Sequence, residues 1–165
     1  MEKTTAGALR RISPTEARKF KITMERLKRL SIGKYILHGS RKRSRLLLPK
    51  RSKPARIRTP FQNQKAVYAT GNPIIAIVYA TLDNLPWQNV REKGVVVFIK
   101  EGEQLCPHGG YIHVLPNKGF VGSLRMSYSR QPIRPVAVIK AYPITPYILT
   151  MFGKLIVART QTRTT

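Results

Sequence analysis

Residues 35–45 read Tyr-Ile-Leu-His-Gly-Ser-Arg-Lys-Arg-Ser-Arg (YILHGSRKRSR), and this stretch joins two different kinds of sequence. Its apolar first part, ending at His38, predicts a short strand, because aromatic and large aliphatic residues suit a half-buried pleated surface. From Ser40 to Arg45 the residues are cations and serines, with no acid among them. We therefore expect a strand over Tyr35–His38 that leads the chain into a strongly basic loop.

The composition indicates one domain with a polyanionic partner. The chain has 165 residues, of which 42% are apolar, and this amount is enough to build a core and excludes disorder throughout. Lys and Arg number 31 against 7 Asp and Glu, which gives a net charge of +24. A surface this cationic attracts nucleic acid first, with an anionic membrane or an acidic protein as the alternatives.

Cysteine usage and hydropathy narrow the class of protein further. Cys106 is the only cysteine, so a secreted fold held by intramolecular disulfides is excluded. No run reaches the roughly 18 apolar residues of a membrane span, and the N-terminus lacks the apolar core of a secretory signal. We expect a cytoplasmic protein of a prokaryote, a phage-infected cell or an organelle matrix.

The first third of the chain predicts a basic amphipathic helix. Residues 1–58 hold 19 cations and 3 acids, whereas residues 59–165 hold 12 cations and 4 acids. Ser13 and Glu16 form a capping-box pattern, and the helix should end near residues 31–33. Apolar residues recur at steps of three and four on one face, namely Ala17, Phe20, Met24, Leu27 and Leu30. The basic face could contact phosphates, face solvent or lie on a membrane surface.

A basic arm follows the first strand. Residues 41–58 contain nine cations and no acid, and Leu46–Leu48 provides one apolar anchor, which indicates an extended loop pinned to the body. Such arms are typical of proteins that lie between nucleic-acid phosphates. The cations of both basic segments are the predicted nucleic-acid-binding residues: Arg10, Arg11, Arg18, Lys19, Lys21, Arg26, Lys28, Arg29, Arg41, Lys42, Arg43, Arg45, Lys50, Arg51, Lys53, Arg56 and Arg58.

The rest of the chain predicts an α+β fold, because strands predominate without a regular βαβ alternation. The predicted strands and helices after residue 64 are a strand at Ala66–Thr70, a helix at Pro73–Leu82 capped by Asn72, strands at Val95–Ile99, Tyr111–Leu115 and Pro135–Ala141, and a helix or strand at Tyr147–Val157. We expect a basic N-terminal extension over residues 1–34, a single domain over 35–158 with the arm 41–60 inserted, and a loose tail over 159–165.

Metal and phosphate-loop chemistry have little support. Cys106, His108 and His113 lie close in sequence, but further ligands would be needed and no carboxylate follows Glu103. Phosphate loops and dinucleotide-binding glycine motifs are absent from the sequence. We expect no metal site, and His113 is interpreted as a packed or hydrogen-bonded strand residue.

Two short motifs point to a known fold. His-Gly-Ser ends the first strand at 38–40, and Tyr-Ala-Thr ends another at 68–70, before a helix that carries Tyr79. This order resembles the ADP-ribosyltransferase fold, in the branch typified by the poly(ADP-ribose) polymerase catalytic domain, over roughly residues 35–142. The resemblance implies a small mixed or antiparallel sheet body, His38 on the nicotinamide ribose and Tyr68 stacked on the nicotinamide. It places Gly39, Ser40 and Tyr79 beside them in an NAD-binding pocket.

One element of that family is missing. The family carries a catalytic glutamate on a late strand, but residues 123–131 contain no acid, and Gln131 cannot act as a base. Loss of such a group removes several kcal/mol of transition-state stabilisation, so we expect an inactive scaffold without a cofactor. If the protein were an enzyme, it would use NAD. The related RNA 2′-phosphotransferases use arginines instead, and Arg125, Arg130 and Arg134 lie in the corresponding part of the chain.

Three functions are therefore compatible with the sequence. The first is an RNA-binding structural protein of a ribonucleoprotein such as a ribosome, on a vestigial ADP-ribosyltransferase-like body. The second is an NAD-dependent ADP-ribosyl or RNA 2′-phosphate transferase acting on nucleic acid. The third is a viral or phage genome-packaging protein. The extreme charge and the acid-free arm favour the first, with RNA favoured over DNA and little reading of base sequence, since aromatics are few near the basic segments.

Overall fold

A computed structural model describes residues 13–30, 33–51, 65–83, 85–90, 94–122 and 126–161. In chain order, the helices and strands of these ranges are α1 (Pro14–Leu30), β1 (Tyr35–Ser40), β2 (Lys50–Arg51), β3 (Lys65–Ala69), α2 (Pro73–Thr81), β4 (Trp87–Val90), β5 (Gly94–Lys100), β6 (Gly110–Pro116), β7 (Val121–Gly122), β8 (Ser127–Ser129), β9 (Ala137–Ala141), α3 (Thr145–Met151) and β10 (Leu155–Thr160). The α+β class predicted from the sequence is confirmed. No helix in the described ranges is long and apolar enough to cross a membrane.

Helix α1 begins at the predicted capping box. The Ser13 N–H donates to Glu16 Oε2 at 3.0 Å, and the Glu16 N–H donates to Ser13 Oγ at 3.2 Å. Leu27 is fully buried against the main core, with Phe20, Met24 and Leu30 packed around it. Ala17 was expected on this apolar face but is exposed, because the first turns of the helix extend beyond the core. The residues of the predicted N-terminal extension thus contribute a helix to the core.

Small sheets organise the body. The central sheet has the order β1-β6-β9 and is antiparallel throughout. A second sheet, β10-β5-β4, combines a parallel and an antiparallel pair, and a third has the order β2-β3-β8-β7. A bridge between Leu37 and Thr70, with backbone bonds of 2.9 and 2.8 Å, connects β1 to the end of β3. The first and third sheets therefore meet where the His-Gly-Ser and Tyr-Ala-Thr motifs lie.

The two faces of the central sheet have different roles. Side chains alternate along a strand, so Leu37, Ile112 and Val114 point to one face and belong to the main core around α2. Ile36 and Leu115 point to the other face and form a smaller cluster with the loop residue Leu47 and with β3. Helix α1 packs on the α2 side through Leu27, while the loop after β1 covers the opposite face.

Helix α2 sits unusually close to the central sheet. A Cβ on Gly39 would collide with the Ala76 carbonyl oxygen and lie 2.8 Å from the Ala80 nitrogen. A Cβ on Gly110 would collide in the same way with the Ala80 carbonyl oxygen. The glycines of β1 and β6 therefore let the helix backbone approach the strands directly. Asn72 caps this helix as predicted, since its Oδ1 accepts the Ile74 N–H at 2.9 Å.

The remaining predicted elements agree in position, with differences at the C-terminus and in the short strands. The segment Tyr147–Val157, predicted as a helix or a strand, contains part of each. Its first residues end α3 and its last residues begin β10. Strand β10 extends to Thr160, so Arg159 and Thr160 pair with β5 although they fall in the predicted tail. Strands β2, β4, β7 and β8 were not predicted, because they are two to four residues long and carry few β-branched side chains.

Candidate nucleic-acid interface

The loop between β1 and β2 is fixed to the body at two points. Leu47 and Ile133 exchange backbone hydrogen bonds of 2.9 and 3.0 Å, and the Leu47 side chain is buried, as the predicted apolar anchor requires. Three residues earlier, the Ser44 N–H donates to His113 Nε2 at 3.0 Å. Leu46 and Leu48, on either side of the anchor, are exposed. The loop therefore has a defined position over the sheet, although it contains almost no regular structure.

Cations line the outer side of this loop. Arg41, Lys42, Arg43, Arg45 and Lys50 are all exposed. The backbone of Arg51 pairs with Lys65 in β2 and β3. The other predicted arm residues, Lys53, Arg56 and Arg58, lie outside the described residues, as do Arg10 and Arg11 near the N-terminus.

One acid lies beside the start of the loop. Arg41 contacts Asp83 at 3.6 Å, and the same Asp83 oxygen accepts a hydrogen bond from His108 Nε2 at 2.9 Å. Both Arg41 and Asp83 have side chains 64% exposed, so solvent weakens their attraction. Asp83 thus offsets only part of the positive charge at one end of the loop.

A second group of cations lies on α1. Arg18, Lys19, Lys21, Arg26, Lys28 and Arg29 are exposed in that helix. Lys19 lies over the ring of Tyr142 at 5.7 Å, on the same side of the molecule as α2 and α3. Because the loop covers the other face of the central sheet, the predicted binding residues form two basic surfaces, which we call the helix surface and the loop surface.

His38 and His113 form the base of the loop surface. They are register partners on β1 and β6, with ring centroids 5.8 Å apart. His113 Nδ1–H donates to the His38 carbonyl at 3.2 Å while its Nε2 accepts from Ser44, so the ring is neutral in this arrangement. Burial lowers the pKa of His113, the bond to His38 partly offsets this, and the nearby Arg43 lowers it further. His113 is therefore a buried structural acceptor, as the sequence indicated.

His38 connects the central sheet to strand β3. Its Nδ1 donates to the Tyr68 carbonyl oxygen at 2.5 Å. Burial lowers the pKa of His38, the bond to Tyr68 raises it, and the proximity of His113 and Lys50 lowers it again. The motif residues His38 and Tyr68, thirty positions apart, therefore meet in the structure through a backbone carbonyl.

The other residues of the expected nucleotide pocket have structural partners. Gly39 has no room for a side chain because α2 occupies that space. Ser40 Oγ accepts the Lys42 N–H at 3.3 Å and so shapes the start of the loop. Tyr79 is 43% exposed on α2, and its hydroxyl accepts from Trp87 Nε1 at 3.1 Å. Partial burial of its ring raises the pKa of Tyr79, and the bond from Trp87 lowers it.

The segment expected to carry a catalytic acid is basic. Residues 123–125, including Arg125, lie outside the described residues. Gln131 is exposed, and its N–H donates to Ser129 Oγ at 3.2 Å. Arg130 lies over the ring of Tyr128 at 5.9 Å. Arg134 is exposed and lies beside the loop surface, next to the Leu47–Ile133 pair.

A cleft between the loop and the start of β9 escaped sequence reasoning. It has a volume of about 360 Å³ and lies between residues 43–45 on one side and residues 134–138 on the other. Arg134 was considered only as part of an enzyme site, because nothing in the sequence pairs Ile133 with Leu47. The basic loop and the acid-free stretch after Glu103 were visible separately, but their contact depends on the tertiary fold.

The candidate metal ligands are occupied elsewhere. His108 Nε2 lies 2.9 Å from Asp83 Oδ1 and its Nδ1 lies 2.8 Å from the Gly109 carbonyl oxygen, and His113 bonds to Ser44 and His38. Cys106 is exposed and forms no disulfide. Within the described residues, no group of three or more His, Cys, Asp or Glu side chains is arranged to hold a metal ion.

Comparisons of the chain with protein-family models, with curated proteins and with solved structures find no match. The resemblance to ADP-ribosyltransferases therefore stays a prediction that depends on the two short motifs.

Proposed function

We propose that this protein binds RNA as a structural component of a ribonucleoprotein assembly such as a ribosome, in the cytoplasm or an organelle matrix. The observation that carries the proposal is the fixed, outward presentation of Arg41, Lys42, Arg43 and Arg45 by a loop tied down at Ser44 and Leu47. A cation on a fixed backbone loses less backbone entropy on binding than one on a free chain. Long-range attraction is supplied by the net charge of +24.

The mode of recognition proposed is contact with phosphates. Lys and Arg release condensed counterions from a nucleic acid, so the affinity should fall steeply as salt rises, with a slope of about −0.7 per neutralised phosphate on a single strand. The exposed residues described on the loop surface are mainly cations and aliphatic side chains, which favours backbone contact over stacking on bases.

The proposal is tested by fluorescence anisotropy with a single-stranded RNA over a series of salt concentrations. The informative variant replaces Arg41, Lys42, Arg43 and Arg45 together by alanine. A control with the same loss of charge replaces Lys100, Lys118, Lys140 and Lys154, which are exposed and belong to other parts of the chain. We expect the loop variant to lose clearly more affinity and to show a shallower salt slope. Equal losses in the two variants would show that only net charge matters, and a wild-type affinity that ignores salt would refute phosphate contact.

The contact between His38 and Tyr68 supports a second candidate, an NAD-dependent transferase acting on nucleic acid. Calorimetry with NAD tests it. Binding that Tyr68→Ala abolishes would favour the transferase, and no heat with the wild type would remove this candidate. A viral packaging role depends on charge alone, and no contact in the structure favours it.

A further inference from the structure

The cleft beside the loop surface follows from how two segments pair. Leu47 and Ile133 lie opposite each other in an antiparallel bridge, so the residues before Leu47 run alongside those after Ile133. The Ser44 N–H bond to His113 then holds the loop over β6, whose residue His113 pairs with Val138 of β9. Between these two attachments the backbones separate and leave the cleft of about 360 Å³. The loop wall is therefore held by one backbone pair and by a bond from the Ser44 backbone to the His113 side chain.

The charge within the cleft has one sign. Arg43, Arg45 and Arg134 are the charged residues that line it, and all three are exposed. In the described part of the chain, none of the three forms a salt bridge, and the cleft lining contains no carboxylate. Like charges that surround one cleft repel each other, so an anion bound between them reduces this electrostatic repulsion. Guanidinium groups also match the geometry of phosphate oxygens through paired N–H donors.

The opposite wall is apolar. Pro135, Val136, Ala137 and Val138 complete the lining, and Val136 is 57% exposed. A free inorganic anion would leave this wall unused, whereas a phosphate ester carries a carbon skeleton that can lie against it. The volume is of the order found for small-ligand sites, which start near 300 Å³.

We propose that this cleft is a phosphate-binding site that holds one phosphate group of a bound nucleic acid on Arg43, Arg45 and Arg134, with the adjoining sugar against Val136. The inference rests on the proposed function for the source of the phosphate, but it makes a separate claim. Long-range attraction depends on the number of charges, whereas this site depends on the planar, paired N–H donors of Arg43, Arg45 and Arg134.

A substitution that keeps the positive charge but removes the paired N–H donors of the guanidinium group distinguishes this site from general charge attraction. Arg134→Lys retains the positive charge but loses the planar pair of donors. The matched control is Arg159→Lys, the same change at an exposed position of β10 outside both basic surfaces. Two probes are used with the full chain: a single-stranded RNA of about 20 nucleotides in anisotropy measurements, and inorganic pyrophosphate in thermal unfolding. Unfolding without ligand checks that both variants are folded.

We expect Arg134→Lys to weaken RNA binding by about three- to tenfold and Arg159→Lys to leave it within about twofold. Pyrophosphate should raise the unfolding temperature of the wild type and of Arg159→Lys more than that of Arg134→Lys. Equal behaviour of the two variants with both probes would overturn the site. If the wild type bound no RNA but responded to pyrophosphate through Arg134, the proposed function would fail and the phosphate site would stand.

Discussion

The close contact between α2 and the central sheet makes a strong prediction about glycine. Gly39→Ala places a methyl group against the Ala76 carbonyl oxygen and 2.9 Å from Tyr79 Cβ. The obstructing atoms belong mainly to the helix backbone, so they cannot move aside by a change of rotamer. Overpacking of this kind costs about 1–3 kcal/mol, and we expect a value near the upper limit. For a chain of this size the unfolding temperature should fall by roughly 6–12 °C.

The chain provides a matched pair for this experiment. Gly110→Ala meets the Ala80 carbonyl and should be as destabilising as Gly39→Ala. At the adjacent Gly109 the nearest atoms to an added Cβ are 3.7 and 4.0 Å away, and the backbone has no positive φ. Gly109→Ala should therefore leave stability unchanged or raise it by about 0.4–1 kcal/mol through the unfolded state. Thermal unfolding followed by circular dichroism measures all three. If Gly39→Ala unfolds at the temperature of Gly109→Ala, the helix does not approach the strand as described.

Two further predictions concern the loop attachments. Leu47→Ala should reduce the free energy of unfolding by about 2 kcal/mol in urea titrations and weaken RNA binding. Leu48 is 53% exposed, so the free energy of unfolding of Leu48→Ala should stay within about 0.5 kcal/mol of the wild type. Equal effects of the two substitutions would refute the role of Leu47 as the anchor. The pKa of His113 in the folded state lies below its ordinary value, so the unfolded chain binds more protons as the pH falls. The contribution of this residue to the free energy of unfolding should therefore be complete above about pH 6.5 and decrease below that pH. Urea titrations at about pH 7.5 and pH 5.5 measure this loss of stability. The loss should be smaller in His113→Gln, because an amide keeps a donor and an acceptor but does not titrate. A wild type that is more stable at the lower pH would contradict the assignment.

Local signals explain which parts of the fold were predictable. The capping box at Ser13 and Glu16 and the Asn72 cap involve residues two or three positions apart, so the sequence displays both partners together. Strand β5 was predictable from its run of β-branched residues, whereas β7 contains only two residues and depends on its partner β8. The composition of such a short strand does not identify it, because the strand forms only through hydrogen bonds to its neighbour.

The candidate site was predictable in its charge and not in its geometry. The basic loop is visible as a run of cations, but the bond between Ser44 and His113 spans 69 positions and has no sequence signature. Gly39 shows the same limit. The resemblance implied that Gly39 lies beside a bound nucleotide, whereas in the structure helix α2 occupies the space next to it. This close approach of α2 could only be found in the fold.

The placement of cations on both sides of the central sheet has a consequence for stoichiometry. The helix surface lies on the α2 side, and the loop surface lies beyond the opposite face. A protein with a single basic patch coats one strand and leaves its other side to solvent. Under the proposed function, a small body with two such surfaces would act as a divalent cross-linker and would hold two nucleic-acid segments at a separation set by the thickness of its core. At equal amounts of protein and long RNA, it should draw distant parts of the RNA chain together.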